Sequence, residues 1–456
     1  MKDWSEICKQ GEFWLTKVKI VDPEAGRIFE GAVKVDGGLI AEVREGAFAG
    51  EGKILDGEGL HLAPGLIDLH VHLREPGYEE KETVQTGAMS AARGGVTTLC
   101  SMPNTNPICD DGSKVAFIRA RARQAGLCRV LPVGAITRGS DGKQLADLGE
   151  MHDEGAIAFS DDGWPVADAG IMRRAMELSR AWDLLIMSHS EEASLSRGGQ
   201  MHEGSVSSRL GLEGIPRESE EIAVEREVRL AKMTGAKLHI CHISSGGSVD
   251  IIRRAKAEGL RVTGETTPHY LLLDHSHVST YDSHKKMNPP LREKIDQEAL
   301  VQGLIDGTLD AVATDHAPHT EIEKNVEFAY APFGVTGLET SLSAVITRLV
   351  EPGLLDLPAA VALMSSKPAA IIGVEQGRLV AGAPADLVLF DPTERWTVRG
   401  KETASRSDNT PFEGMELTGR VRATFLAGRP VFRRYEEDGE SRESFTPNLA
   451  KEAAIA

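Results

Sequence analysis

The sequence lacks an excess of basic residues. Its 456 residues include 51 Lys and Arg against 69 Asp and Glu, which gives a formal net charge of -18 at pH 7. Proteins that bind nucleic acids contact the phosphates through clustered Lys and Arg side chains, so this composition argues against that class. The acidic total does not exclude a small anionic substrate, because one local arginine is enough to bind it.

Long apolar runs and cysteine pairs are also missing. No stretch approaches the roughly 20 apolar residues of a membrane span, and the first residues contain no apolar signal segment. The cysteines are scattered and form no CxxC pair; they are Cys8, Cys100, Cys109, Cys128 and Cys241. This usage is typical of reduced thiols, and we expect a cytoplasmic protein with no membrane partner.

What is present is an alternation of short β-rich runs with longer helical segments between Gly65 and Gly373. The candidate strands are residues 66–73, 96–102, 129–136, 156–162, 184–190, 237–243, 261–271 and 309–319. Such alternation predicts parallel strands with crossover helices, and eight units over roughly 300 residues favour a TIM-like (β/α)8 barrel. An open Rossmann-like sheet is the alternative, but no GxGxxG follows the first strand.

The two ends of the chain have a different pattern. Residues 13–61 and 377–433 contain short alternating strands separated by Gly turns. We therefore predict an α/β protein in which both ends pack into one small β-sandwich that the barrel interrupts. The predicted boundaries are 1–62 and 373–456 for the sandwich and 63–372 for the barrel. The polar residues 435–456 are predicted to form a mobile tail.

Histidines and aspartates fall at the carboxyl ends of the candidate strands. His70 and His72 are two residues apart, so both side chains lie on one face of the first strand. Other strands end in Asp161 and Asp162, in His189, in His242, or in Asp315 and His319. These ends form one rim of a barrel, where imidazoles and carboxylates can bind a divalent metal such as zinc. Each residue alone could be a hydrogen-bonded histidine or a capping aspartate, but five strands together favour the metal.

The motif PGLIDLHVHLREPG (64–77) resembles the first metal motif of the amidohydrolase superfamily, in the form found in dihydroorotases. The resemblance continues in order along nearly the whole chain, through FSDDGWPV, SHSEE, ICHISS, MNPPLR, ATDHAPH, FGVTGLET and GAPADLVLFD. It implies a barrel joined to a sandwich. It also implies zinc-dependent, reversible hydrolysis of dihydroorotate to N-carbamoyl-aspartate in pyrimidine biosynthesis.

The resemblance further implies one or two zinc ions, two being favoured. The implied ligands are His70, His72 and Asp315 for one ion, His189 and His242 for the second, and a carboxylate that bridges both. Many relatives bridge with a carbamylated lysine, but FSDDGWP contains no lysine, so an aspartate bridge is implied. We choose Asp162 for it, and Asp161 stays the alternative. Zinc activates water for attack, and Asp315 is the implied catalytic group that moves the proton to the leaving nitrogen. The alternative is that Asp315 is a metal ligand alone.

A carboxylated ring needs a cation in the site. Arg74 lies two residues after His72 on the same strand face, and a guanidinium pairs bidentately with a carboxylate. The resemblance implies Arg74, Asn104 and His319 for the substrate carboxylate, and Asn288 with the backbone around Phe333 and Gly334 for the ring. Alternatively, Asn104 is only a turn residue and Arg74 only part of a surface ion pair.

Two other functions stay open. A dihydropyrimidinase, hydantoinase or allantoinase would hydrolyse a similar ring, but these enzymes typically use a carbamylated lysine. The arginine of HLREPG is characteristic of dihydroorotases. A metal-poor scaffold that stabilises aspartate transcarbamoylase would lack metal ligands, and here all are present. We therefore expect a small-molecule substrate and a homo-oligomer, and association with aspartate transcarbamoylase is a further possibility.

Overall fold

Two large β-sheets and one two-stranded sheet organise the residues that the computed structural model describes, which are 4–8, 11–48, 50–437 and 440–448. The N-terminal strands are β1 (Glu12–Asp22), β2 (Arg27–Asp36), β3 (Leu39–Glu45), β4 (Ile54–Asp56) and β5 (His61–Pro64). The central strands are β6 (Leu66–Val71), β7 (Val96–Ser101), β8 (Arg129–Gly134), β9 (Ala158–Phe159), β10 (Leu185–Ser188), β11 (Met201–His202), β12 (Gly214–Ile215), β13 (Lys237–Ile240), β14 (Val262–Thr266) and β15 (Ala311–Val312). The C-terminal strands are β16 (Leu387–Thr397), β17 (Glu416–Leu426), β18 (Arg429–Glu437) and β19 (Glu440–Phe445).

The central sheet is the predicted barrel. Its strands are parallel and follow the order β6-β7-β8-β9-β10-β13-β14-β15. The two edge strands approach each other, because Val71 bridges His316 and the His72 N–H donates to the His316 carbonyl over 2.8 Å. Every residue of β6 and β7 is buried, as expected for strands covered on both faces.

The α-helices lie mainly between the barrel strands. They are α1 (Trp4–Cys8), α2 (Val84–Arg93), α3 (Gly112–Ala125), α4 (Leu148–Asp153), α5 (Ala169–Ala181), α6 (Ala193–Ser196), α7 (Ser205–Leu210), α8 (Glu218–Thr234), α9 (Gly246–Ala257), α10 (Pro268–Leu272), α11 (Lys294–Ile305), α12 (Glu321–Lys324), α13 (Ser341–Val345), α14 (Leu357–Ala362) and α15 (Ser366–Ile372). Side chains of Thr83, Asp111 and Ser245 cap the N-termini of α2, α3 and α9. None of the helices in the described ranges has the length and apolar composition of a membrane span.

Both chain ends build one β-domain, as predicted. Its strands follow the order β19-β18-β17-β16-β5-β1-β2-β3, and β4 pairs with β1. The antiparallel pairing of β5 with β16 joins the two ends edge to edge into a continuous sheet. Phe13 and Ile20 from the first end share a core with Leu389 and Phe425 from the second end.

The predicted mobile tail is partly wrong. Residues 435–437 and 440–445 belong to the paired strands β18 and β19. Phe445 packs against Phe432, and Glu443 pairs with Arg434 and Arg93, so these polar residues are bound to the body of the protein. Residues 449–456 of the predicted tail lie outside the described residues.

The seventh barrel strand is shorter than predicted, which corrects the position of His269. We expected this histidine on the strand, but β14 ends at Thr266 and His269 lies in helix α10. Thr267 caps this helix by accepting from the Tyr270 N–H, and Pro268 occupies its first turn. Proline is favoured in the first turn because a backbone N–H at that position would have no acceptor within the helix, so its absence costs nothing.

Candidate active site

The predicted site residues come together at the carboxyl ends of the barrel strands. A cleft of about 240 Å³ opens there. Its lining includes His72, Arg74, Asn104, Asp162, His189, His242, Asn288, Asp315, His319, Phe333 and Gly334. His70 lies beneath this surface with no exposed area. Arg74, His242 and Asp315 adopt positive φ angles of 62°, 35° and 46°, an uncommon conformation that often accompanies functional sites.

Four histidines surround the side chain of Asp162. Its Oδ1 lies 3.3 Å from His70 Nε2, 3.6 Å from His189 Nδ1 and 3.5 Å from His242 Nε2. Its Oδ2 lies 3.4 Å from His72 Nε2. The carboxylate therefore faces two pairs of imidazoles. One pair is His70 with His72, and the other is His189 with His242.

These side chains form two groups that could each hold a metal ion. One ligand atom each from His70, His72 and Asp162 lies within 4.8 Å of the others, and the same holds for Asp162, His189 and His242. In the described part of the chain, both ring nitrogens of His70 and Oδ1 of Asp162 are buried without a hydrogen bond. Buried polar atoms are normally paired, so this arrangement suits metal ligands.

The charges of this cluster are strongly coupled. Burial opposes protonation of His189, but the carboxylates of Asp162 and Glu191 outweigh it and raise the pKa of His189 to about 10. Burial likewise favours a neutral Asp162, yet His70 and its neighbours hold the pKa of that carboxyl well below its usual range. The site thus attracts positive charge, which a divalent cation can supply while the imidazoles bind it through their lone pairs.

The neighbouring Asp161 has a different environment. Its Oδ1 accepts hydrogen bonds from the backbone N–H groups of Ile136 and Thr137 over 2.8 and 3.0 Å. The Thr137 and Ser140 hydroxyls also donate to this carboxyl group. Asp161 therefore fixes the loop after β8, and the geometry favours Asp162 as the residue that faces the imidazoles.

Asp315 lies against the same cluster and contacts the two histidines that Asp162 also faces. Its Oδ1 is 3.0 Å from His72 Nε2 and 3.6 Å from His70 Nε2. Burial works against its ionisation, but the neighbouring imidazoles, His72 first and then His70, prevail and lower the pKa of Asp315 to about 2. The group is therefore a carboxylate at neutral pH and is able to accept a proton.

Arg74 provides a cation in the cleft. Its Nε donates to the Pro318 carbonyl over 3.2 Å, and its Nη2 lies 3.4 Å from His319 Nε2. Within the described ranges, no carboxylate of the protein forms an ion pair with Arg74. A half-buried guanidinium without a carboxylate partner is suited to binding an anionic ligand.

The two asparagines contact groups of the cluster. Asn104 Oδ1 lies 2.7 Å from His72 Nδ1, so it accepts the ring N–H and leaves Nε2 free to bind a metal. Asn288 Nδ2 donates to Glu191 over 2.6 Å. The Asn288 Oδ1 is buried without a hydrogen bond in the described residues, and it is thus available to a ring N–H.

One acidic residue of this region was not predicted from the sequence. Glu265, at the end of β14, is fully buried, with Oε1 3.5 Å from His70 Nδ1 and Oε2 3.2 Å from His239 Nε2. Burial would raise the pKa of Glu265, but His239 and His70 lower it to about 2. The sequence did contain a signal for Glu265, because it is the carboxylate of the GET segment in the seventh candidate strand. The ends of the other strands already held predicted metal ligands.

Sequence comparisons agree with this architecture. The sequence model of the dihydro-orotase-like family matches residues 59–248, and that of an amidohydrolase family matches residues 299–432. The dihydroorotase of Pelotomaculum thermopropionicum is 48% identical over 412 residues, which are 90% of this chain and 96% of the relative. The dihydroorotase of Desulforapulum autotrophicum is 50% identical over 380 residues, or 83% and 89% of the two chains.

Solved structures of related hydrolases have the same fold. The L-hydantoinase (dihydropyrimidinase) of Arthrobacter aurescens superposes with a TM-score of 0.83 at 25% identity, covering 92% of this chain and 96% of its own. The dihydropyrimidinase of Brevibacillus agri has a TM-score of 0.80 at 25% identity, with 92% and 95% covered.

Proposed function

This chain belongs to the dihydroorotase family of amidohydrolases, and from that membership we propose that it is itself a dihydroorotase. In this reaction, water opens the cyclic amide of dihydroorotate to give N-carbamoyl-aspartate, and the reverse reaction closes the ring. The observation that carries this function is that the cluster of histidines and aspartates shares one cleft with Arg74. No carboxylate in the described part of the chain forms an ion pair with this arginine. A ring with a carboxylate needs both the cluster and the arginine.

The imidazoles of His70, His72, His189 and His242 and the Asp315 carboxylate would hold the metal, with the Asp162 carboxylate as the bridge. We propose zinc, because these nitrogen and oxygen ligands are typical of it, and two ions, because Asp162 faces two groups of histidines. When bound, such ions lower the pKa of a water molecule and polarise the amide carbonyl. The remaining chemistry belongs to residues of the chain.

Asp315 is the proposed proton carrier. Its carboxylate takes a proton from the attacking water at Oδ and then gives that proton to the leaving ring nitrogen. Arg74 binds the ring carboxylate bidentately, and His319 and Asn104 lie beside it. Asn288 and the backbone of Phe333 and Gly334 hold the ring edge. The same groups serve ring closure, since each step is reversible.

Hydrolysis of a hydantoin or of an uncarboxylated dihydropyrimidine is the second candidate, because the solved structures with this fold include enzymes of those names. Arg74 argues against it, since a neutral ring leaves that cation without a partner. We further propose that the enzyme acts in pyrimidine biosynthesis in the cytoplasm, as a homo-oligomer. We also propose that it associates with aspartate transcarbamoylase.

A substrate panel with counted metal tests the function. Purified enzyme is assayed with dihydroorotate, hydantoin, dihydrouracil and allantoin while metal per chain is measured by mass spectrometry. We expect turnover of dihydroorotate well above the others, loss of activity after chelation, and recovery with zinc. Preference for an uncarboxylated ring would refute the dihydroorotase proposal, and full activity in verified metal-free enzyme would refute the metal.

A further inference from the structure

A buried lysine lies behind the wall of the cleft and has no carboxylate partner. Lys324, the last residue of α12, is 2% exposed. Its Nζ donates to the backbone carbonyls of Ser283 at 3.0 Å, Lys286 at 3.3 Å and Pro332 at 2.9 Å. It forms no ion pair with any residue in the described ranges. Three carbonyls satisfy its N–H groups but leave its positive charge in a medium of low dielectric constant.

The carbonyls that Lys324 binds belong to the two segments that form one wall of the cleft. The Lys286 carbonyl also accepts the Gly334 N–H over 3.0 Å, so the two segments are joined at this point. Next along the chain from Pro332, the Phe333 carbonyl accepts from His319 Nε2 over 2.8 Å. That nitrogen is 3.4 Å from Arg74 Nη2. A short series of contacts therefore connects Lys324 to the guanidinium proposed to bind the substrate carboxylate.

The neighbouring acids do not neutralise Lys324. Glu323 pairs with Lys81 over 2.7 Å, and Asp282 accepts from the backbone of His284 over 3.0 Å. Burial, and after it the nearby charge of Lys286, lowers the pKa of Lys324 to about 7, while Asp282 and Glu323 oppose this and Arg74 adds to it. An anion in the cleft would favour the charged form of this lysine.

We propose that Lys324 is a specificity-determining residue of the cleft. Its ammonium group holds the segments around Lys286 and Pro332 together and adds a positive charge behind Arg74 and His319, so that the cleft selects for a ring with a carboxylate. Lys324 does not touch the substrate; it acts through the wall and through its charge. This inference rests on the proposed function, because it takes dihydroorotate as the substrate.

The test compares Lys324→Met with Lys81→Met in the metal-loaded enzyme. Methionine keeps most of the lysine volume and removes its charge. Lys81 is the matched control, because it has the same sign and region but is paired with Glu323. For Lys324→Met we expect the KM for dihydroorotate at pH 6.5 to rise about tenfold, because a positive charge that favours the substrate carboxylate is lost, with a nearly unchanged kcat and metal content. Lys81→Met should change KM little.

The pH dependence supplies a readout that a purely structural role would not move. In the wild type, KM should rise as the pH increases above about 7, because Lys324 loses its proton there, and this rise should be absent in Lys324→Met. An unchanged KM in folded Lys324→Met, or the same alkaline rise in both proteins, would overturn the inference. A fall in kcat together with metal content would also overturn it, because that pattern indicates a general structural role.

If Lys324→Met does not fold, a measurement on the wild type can still overturn the inference. Calorimetric binding of orotate at pH 8 in buffers of different ionisation enthalpy should show proton uptake, and its absence would contradict the role of Lys324. A wild-type enzyme that does not turn over dihydroorotate at all would instead refute the proposed function, so the two failures are distinguishable.

Discussion

Two adjacent aspartates show how much one residue position matters in this site. Asp161 accepts hydrogen bonds from the loop after β8, whereas Asp162 faces the histidines. Successive side chains of an extended segment point to opposite sides, so only one of the two can face the cleft. The sequence predicted that one of them bridges, and the loop bonds of its neighbour favour Asp162.

This difference predicts different consequences of the same substitution. Asp162→Asn should bind less metal with an intact fold, because it removes the charge between the imidazoles. Asp161→Asn should keep the metal but lower the free energy of unfolding by about 1–3 kcal/mol, since it replaces an acceptor of buried N–H groups with an amide. Metal analysis and denaturant unfolding measure the two effects. Metal loss in Asp161→Asn alone would contradict the assignment.

Asp315→Asn tests the proton carrier. Asparagine keeps the shape but cannot accept and return a proton, so kcat should fall by about 10²–10⁴-fold. The measurement is steady-state turnover of dihydroorotate with the metal content determined in the same sample. A variant that retains its metal and a near-normal kcat would remove Asp315 from the acid–base role.

Arg74→Ala tests recognition of the carboxylate. The variant should have a raised KM for dihydroorotate, whereas any slow turnover of dihydrouracil should change little, because that ring offers no partner to the guanidinium. Arg74→Lys should not restore the wild-type KM, since an ammonium lacks the bidentate geometry. Equal losses on both rings would indicate that Arg74 supports the fold of the cleft instead.

At the scale of elements, the ends of adjacent strands bring buried charges together. Glu265 on β14 lies between His70 on β6 and His239 on β13. Its carboxylate can accept the Nδ1 proton of His70, which leaves Nε2 as the nitrogen directed at Asp162. Such an outer carboxylate fixes the orientation and raises the basicity of a metal-binding histidine.

Glu265→Gln should therefore weaken metal binding by about 10–100-fold. The expected readout is the metal dissociation constant from chelator competition, with the fold monitored by circular dichroism. Glu227→Gln is a matched control, because Glu227 is equally buried but pairs with Arg226 in the helical layer. If the two variants bind metal equally well, Glu265 does not orient His70.

At the scale of the whole molecule, a buried ion pair joins the barrel to the terminal β-domain. Arg129 of β8 lies 2.9 Å from Asp386, the residue before β16, and both side chains are almost completely buried. Asp386 Oδ1 also accepts the Ala427 N–H over 2.7 Å, and its carbonyl accepts the Gly65 N–H over 2.8 Å. The junction between barrel and sheet is thus specified by polar contacts as well as by apolar packing.

Asp386→Ala should lower the free energy of unfolding by about 3–5 kcal/mol, because it removes the carboxylate that faces the buried Arg129 guanidinium. Denaturant unfolding of the metal-loaded protein measures this loss. Glu24→Ala provides the control, since Glu24 pairs with Arg378 at the exposed surface and such pairs contribute about 0–1 kcal/mol. Equal stabilities of the two variants would show that the junction does not depend on this pair.

Much of this organisation is readable in the sequence. Strand–helix alternation predicts the barrel because parallel strands need crossovers, and the position of His70, His72 and Asp315 at strand ends predicts a common rim. The extent of β14 was overestimated, because Thr267 and Pro268 begin a helix within an apolar run. The polar strand β19 was missed, because its partners Arg434 and Arg93 are distant in sequence.

Local patterns follow from the sequence alone: the periodicity of strands and helices, the residue types at the rim, and the arginine beside the histidine motif. The folded chain was needed to show which of two neighbouring aspartates faces the imidazoles and that Glu265 lies behind His70. It also placed an ammonium without a carboxylate partner behind the cleft wall. The physical reason is that burial and charge compensation depend on contacts between segments far apart in the chain. Lys324 shows this, because the carbonyls that hold it come from residues 283, 286 and 332.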